Sequence, residues 1–171
     1  QPDAWGVTRS SVYPSGIPRS DPERLGMGDA SSVFPAATSL SREQLEEGDV
    51  FAPHFDRDGL IPAIAQHSDT SEILMFAWMN VDALSRTIDT GQAWYWSRSR
   101  NELWHKGATS GQIQRVTQIR TDCDQDVIML RVLPQRAGAC HVGYNSCFFR
   151  SVRKSESGEI RLSFEETKKI S

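Results

Sequence analysis

The 171-residue sequence contains no long apolar run. Its densest patch, Ile73–Met79 (ILMFAWM), falls far short of the roughly 18 residues a spanning helix needs, which excludes a transmembrane helix. The opening residues show no basic-then-apolar pattern, so no secretory signal is expected. The first residue is Gln rather than Met, which reads as a trimmed or processed chain. Cysteine is scarce, with three residues, all in the C-terminal half. An odd set argues against a disulfide scaffold and for an intracellular, cytoplasmic chain whose thiols serve metal binding or reactivity. Basic residues are not in excess: 19 Lys and Arg against 22 Asp and Glu give a net charge of −3. That counts against a nucleic-acid binder working through many phosphate contacts, but leaves room for a local cationic pocket. No repeat and no second domain is visible.

What is present suffices for one domain with a real core. Hydrophobic residues are 38% and charged residues 24%, and a chain of this size buries about 70% of its unfolded surface. Residues 1–40 read as an extended or disordered tail, with Pro2, Pro14, Pro18, Pro22 and Pro35 among Ser, Gly, Asp and Arg. Ser41 and Gln44 form a capping box before a short helix reaching Glu47, with Gly48 as its stop. Two apolar segments, 61–66 and 72–79, flank the turn residues 68–71 and predict a β-hairpin. Asn80 as N-cap, Leu84 and Ile88 on one face, and Gly91 as stop predict a helix over 81–90. Strands are expected over 93–99, 113–121, 127–133 and 146–152, with a loop over 107–111. The domain is placed at 41–152, followed by a charged segment, 153–171, of unassigned role. The fold expected is mainly β (α+β), with one or two helices.

Three features carry chemistry. In Asp122–Asp126 (DCDQD) three carboxylates alternate with other residues. An extended backbone would put Asp122, Asp124 and Asp126 on one side and Cys123 on the other. Hard oxygen donors crowded this way suit Mg²⁺ or Ca²⁺; the competing reading is a solvated acidic turn. Next, Cys140 and Cys147 lie seven positions apart, and with Cys123 they make a soft thiolate set that selects Zn²⁺. The fourth ligand is His141, His105 or water, and three protein ligands plus water is the catalytic pattern. The competing reading is three buried thiols acting as small hydrophobes, which the polar neighbours Asp122, Asp124, His141, Asn145 and Ser146 disfavour. Finally, Arg98, Arg100 and Lys106 supply positive charge beside Gly107, Thr109, Ser110 and Gly111, a combination suited to an anion nest. The spacing is not that of a Walker loop. A plain basic turn and an aromatic platform for single-stranded nucleic acid are the alternatives, the second weakened by the net charge. His54 and His67 have no such context and read as surface or packing residues.

Taken in order, LIPAI (60–64), Met79-Asn80, YWSRSR (95–100), KGATSG (106–111), DCDQD (122–126) and ACHVGYNSCFFR (139–150) resemble the phosphoribosyl-AMP cyclohydrolases of histidine biosynthesis. The resemblance covers about residues 58–152. The family's fused form carries a pyrophosphohydrolase domain, for which too few residues remain. The resemblance implies a folded mixed sheet, an intertwined homodimer, and hydrolytic opening of the adenine ring of N1-(5-phosphoribosyl)-AMP at the N1–C6 bond. It implies zinc at Cys123, Cys140 and Cys147 drawn from two subunits, and Mg²⁺ at Asp122, Asp124 and Asp126. Val142 and Asn145 depart from the family's frequent Thr and Arg. On this reading His141 is the general base, with His105 in reserve, and Ser97, Arg98, Arg100, Lys106, Thr109 and Ser110 bind the phosphates. The alternative is a zinc-stabilised dimeric binding module without catalysis. A zinc deaminase is lowered by the absence of its H-x-E…P-C-x-x-C signature.

Overall fold

The computed structural model describes residues 33–135 and 139–166. Most of the expected tail (1–32) and the end of the C-terminal segment (167–171) lie outside the described residues. What is seen before residue 41 is a single 3₁₀ turn, Ala37–Ser39, with Phe34 set edge-on to Phe51 at 5.6 Å.

Helix α1, Arg42–Glu47, begins as expected. Ser41 Oγ accepts from the Gln44 amide at 3.1 Å, and the Gln44 side chain accepts from the Ser41 amide at 2.9 Å. Strands β1 (Ile61–His67) and β2 (Ile73–Met79) form the expected antiparallel hairpin. Helix α2, Val81–Thr90, is capped by Asn80 Oδ1 on the Ala83 amide at 2.8 Å and stopped by Gly91 at φ 65°. Its buried stripe is Ala83, Leu84 and Thr87, so the Leu84–Ile88 face expected from the pattern is corrected: Ile88 is exposed. A hydroxyl earns the inward place because Thr87 Oγ1 donates to Ala83 O at 2.8 Å and accepts from the Trp94 amide at 3.0 Å, leaving no polar atom bare.

Strands β3 (Trp94–Ser97) and β4 (Glu102–His105) pair across a turn in which Asn101 sits at φ 52°; the sequence reading had missed β4. Strands β5 (Gln114–Thr121) and β6 (Ile128–Pro134) follow as an antiparallel pair. The six strands are ordered β4-β3-β2-β1-β6-β5, antiparallel except for β1 against β6. The sheet curls on itself, because the start of β5 also bonds the segment before β3: the Ala93 amide donates to Gln114 O at 3.0 Å and the Val116 amide to Gly91 O at 2.8 Å. One face of each central strand makes the core, with Ile61, Ala63, Ala65, Met75, Met79, Tyr95, Ile128, Leu130 and Val132 all buried. Truncating a fully buried residue such as Leu130 to Ala costs about 2–5 kcal/mol. Tyr95 donates from its hydroxyl to Gln114 Oε1 at 2.8 Å across the interior. Complete burial pushes its pKa far up, with the nearby Cys147 a smaller contribution, so it stays a neutral donor.

The expected strand over 146–152 begins later. Ser146 is buried in a turn, its hydroxyl donating to Ile73 O at 2.7 Å and accepting from the Phe148 amide at 2.9 Å. Strand β7 is Arg150–Lys154, and it pairs with β8, Ile160–Phe164, in a separate two-stranded sheet.

Candidate functional site

Two loops gather the metal-ligating residue types. The first joins β5 to β6. It is a turn and not the extended run expected: Gln125 sits at φ 58° and its amide donates to Asp122 O at 3.3 Å. The carboxylates converge all the same. Among the described residues, Asp122, Asp124 and Asp126 form the one group of three metal-ligating side chains whose donor oxygens all lie within 4.8 Å of one another. Asp122 Oδ1 accepts from the Asp126 and Val127 amides, both at 3.1 Å, and so ties the turn shut. Partial desolvation raises the Asp126 pKa, the hydrogen bond and charge of Asp122 and the charge of Asp124 add to it, and His54 opposes them. His54, read from sequence as a surface or packing residue, therefore stands against the acidic loop, its amide donating to Gln125 O at 2.7 Å. No periodicity or motif in the sequence marked that contact.

The second loop, 139–147, folds back on itself. The Ala139 amide donates to Asn145 O at 3.0 Å, the Cys140 amide to Tyr144 O at 3.1 Å, and Gly143 takes φ 99° to close the turn. The Cys147 amide then donates to Leu74 O at 2.7 Å, which fixes the loop to β2. This brings the Cys140 and Cys147 thiols into one neighbourhood, close enough for the charge of one to act on the other, with Cys140 buried. Desolvation, then the Cys140 charge, pushes the Cys147 thiol up to about 11. Lys106 is 6% exposed, and its Nζ donates inward to Ala139 O at 2.8 Å. Burial lowers its pKa while the two thiols raise it, so the ammonium and the thiols share one neighbourhood. Cys123 is not part of this group within one chain. It is exposed on the acidic turn, near enough to Arg42 to add to the pull of Glu46, whose carboxylate pairs with that guanidinium at 2.8 Å.

A cavity of about 670 Å³ links the second loop to the basic loop. Arg100, His105, Lys106, Thr109, Ser110, Cys140 and His141 all line it. Gly107, at φ 88°, makes the approach possible: a Cβ there would meet the Gln112 carbonyl carbon and the Ile113 nitrogen at 2.1 Å. That lets the Gly111 amide fold back onto Gly107 O at 2.8 Å. Arg100 pairs with Glu102 at 2.8 Å and lies 6.0 Å from the Trp104 ring centre. His141 is exposed on the cavity wall. His105 is stacked on Trp94 at 4.3 Å, and its Nε2 pairs with Gln92 Oε1 at 2.7 Å. Ser97 and Arg98 stand apart from the cavity lining: Ser97 Oγ accepts from the Arg100 amide at 3.4 Å, and the Arg98 guanidinium lies 4.8 Å over Trp78.

The family model described as phosphoribosyl-AMP cyclohydrolase matches residues 75–149. A protein of that name from Caulobacter sp. (strain K31) is 60% identical over 121 residues, covering 70% of this chain and 89% of its own. Its namesake from Nitrobacter hamburgensis is 50% identical over 133 residues, covering 78% and 90%. That from Bradyrhizobium diazoefficiens is 49% identical over 132 residues, covering 77% and 93%.

Proposed function

Since the chain belongs to the phosphoribosyl-AMP cyclohydrolase family, we propose that the cavity between the basic loop and the Cys140–Cys147 loop is where it opens the adenine ring of N1-(5-phosphoribosyl)-AMP in histidine biosynthesis. The observation that carries this is a single cavity wall shared by cations, hydroxyl donors, a thiol and a free histidine. Ribosylation at N1 makes C6 electrophilic. A C6–O bond forms, the N1–C6 bond breaks, and the exocyclic amine stays on C6. His141 accepts a proton from the attacking water and returns it to the departing N1. Arg100, Thr109 and Ser110 hold phosphate, Arg through its planar fork and the hydroxyls as donors. Arg98 and Ser97 reach a phosphate from the β3 end if the substrate extends past Arg100. Lys106, its Nζ turned inward to Ala139 O, sets a positive charge beside the thiols.

The donor chemistry fits two metals. Two soft thiols in one neighbourhood, with a buried ammonium beside them, suit zinc, and Cys123 of a second subunit completes the set. Zinc held there supplies Lewis-acid activation of water. The converging oxygens of Asp122, Asp124 and Asp126 suit Mg²⁺. A homodimer is supported by the β7–β8 hairpin. Val152, Leu162, Ile160 and Phe164 share one face of it and are exposed, flanked by Arg150 and Lys154. A two-stranded sheet is marginal in water until such a face is covered. The three free thiols fit a reducing compartment, the cytoplasm.

The test is turnover of phosphoribosyl-AMP by the purified protein. Activity is expected to stop on strong chelation and return with zinc. A folded, zinc-containing dimer with no turnover would instead identify a binding module.

A further inference from the structure

One residue of the acidic loop faces away from the carboxylates and is used completely. Gln125, between Asp124 and Asp126, is 5% exposed. Its Oε1 accepts from the Ala52 amide at 2.8 Å. Its Nε2 donates to Leu45 O at 3.0 Å and to Val50 O at 3.1 Å, so both amide hydrogens are spent. Its own carbonyl accepts from the His54 amide at 2.7 Å. Four hydrogen bonds thus fasten one residue to a segment more than 70 positions away, at a backbone conformation (φ 58°) that a β-carbon disfavours.

The physical need is plain. Asp122, Asp124 and Asp126 are exposed and repel one another, so a free turn would splay them apart. The Asp122 carboxylate ties down the Asp126 and Val127 amides, but among the described residues no hydrogen bond fixes the Asp124 side chain. The Gln125 backbone sits between Asp124 and Asp126, and the side chain anchors it to the 45–54 segment. We propose that Gln125 is a positioning residue that sets the spacing of the three carboxylates, making the N-terminal segment a splint for the cation site. This rests on the reading of that loop as a divalent-cation site. Ordering the ligands before the cation arrives removes a cost from binding, so loss of the anchor weakens affinity and leaves the ligands themselves in place.

The experiment uses the full zinc-loaded chain and Mn²⁺ as probe, with free Mn²⁺ measured by electron paramagnetic resonance. Gln125→Gly relaxes the backbone and removes all three side-chain bonds. Gln125→Asn tolerates the same backbone but is one methylene too short to reach Leu45 O and Ala52 N together, and it keeps the test alive if the glycine variant fails to fold. Both are expected to weaken Mn²⁺ binding about tenfold, a loss of preorganisation. Zinc content stays unchanged, and excess Mn²⁺ restores turnover at an unaltered maximal rate. A lowered melting temperature with unchanged Mn²⁺ affinity would mean that Gln125 only seats the N-terminal segment, and overturns the proposal. Wild-type protein that binds no Mn²⁺, or binds it equally well after Asp124→Asn, overturns the cation site and this proposal together. That outcome is told apart from the first by the wild type's own titration curve.

Discussion

The acidic loop and the cysteine loop are two answers to the same problem of gathering like donors. In the first, five consecutive residues supply all three carboxylates, and one chain completes the cluster. In the second, two thiols seven positions apart meet because their loop folds back and is fastened to β2, while the third cysteine stands on the other loop. The acidic donors are exposed and hard. The thiols are partly desolvated and soft, with Lys106 as a buried cation beside them. One donor set is therefore contiguous in sequence, and the other is brought together only by tertiary structure.

Four experiments press on that contrast. The largest effect is expected from Cys140→Ala, which removes the buried thiol from the cavity wall: activity on phosphoribosyl-AMP should fall by about a thousandfold or more, with zinc lost, as judged by turnover and metal analysis. Full activity in that variant would end the case for a catalytic thiolate site. Asp124→Asn should abolish Mn²⁺ binding yet leave zinc content intact. Loss of both metals together would show that the two loops are one site.

A smaller but more discriminating effect comes from mixing. Cys123→Ala and Cys147→Ala proteins, each inactive, should regain about a quarter of wild-type activity when unfolded and refolded together. Random pairing makes half the dimers mixed, and one site in each mixed dimer is whole. No recovery, with mixed dimers demonstrated, would place all three thiols in one subunit. The smallest effect is on pH. The Cys147 thiol, with its pKa raised to about 11, must lose its proton to bind metal. Zinc affinity, measured by chelator competition, should therefore rise by about tenfold per pH unit for each proton released between pH 6.5 and 8.5. Mn²⁺ affinity at the carboxylates should change far less over that range, because no thiol proton has to leave.

Much of the scaffold was legible because its signals are local. Ser41 with Gln44, Asn80 with Gly91, and the turn residues between β1 and β2 each satisfy backbone groups within a few positions. β8 was legible too and was passed over: Gly158, at φ 85°, closes a Ser-rich turn, and Ile160, Leu162 and Phe164 alternate after it. The gathering of the three Asp came through although the expected extended geometry was wrong, because five consecutive residues keep the three side chains in one neighbourhood, while the turn that carries them is anchored through Gln125.

By itself, then, the sequence determined the element types, the family's run of motifs and the acidic cluster, since each depends on neighbours that covalent connectivity already keeps near. Tertiary structure alone decided that Lys106 turns inward to Ala139, 33 positions away, that Ser146 ties its loop to Ile73, and that Gln125 is spent on Leu45 and Val50. It also decided that Cys123 and the other two thiols stand apart within a chain. Such choices follow from which buried polar atoms find partners once the sheet has curled. A linear pattern names the polar groups that need satisfying, and only the folded backbone chooses their partners.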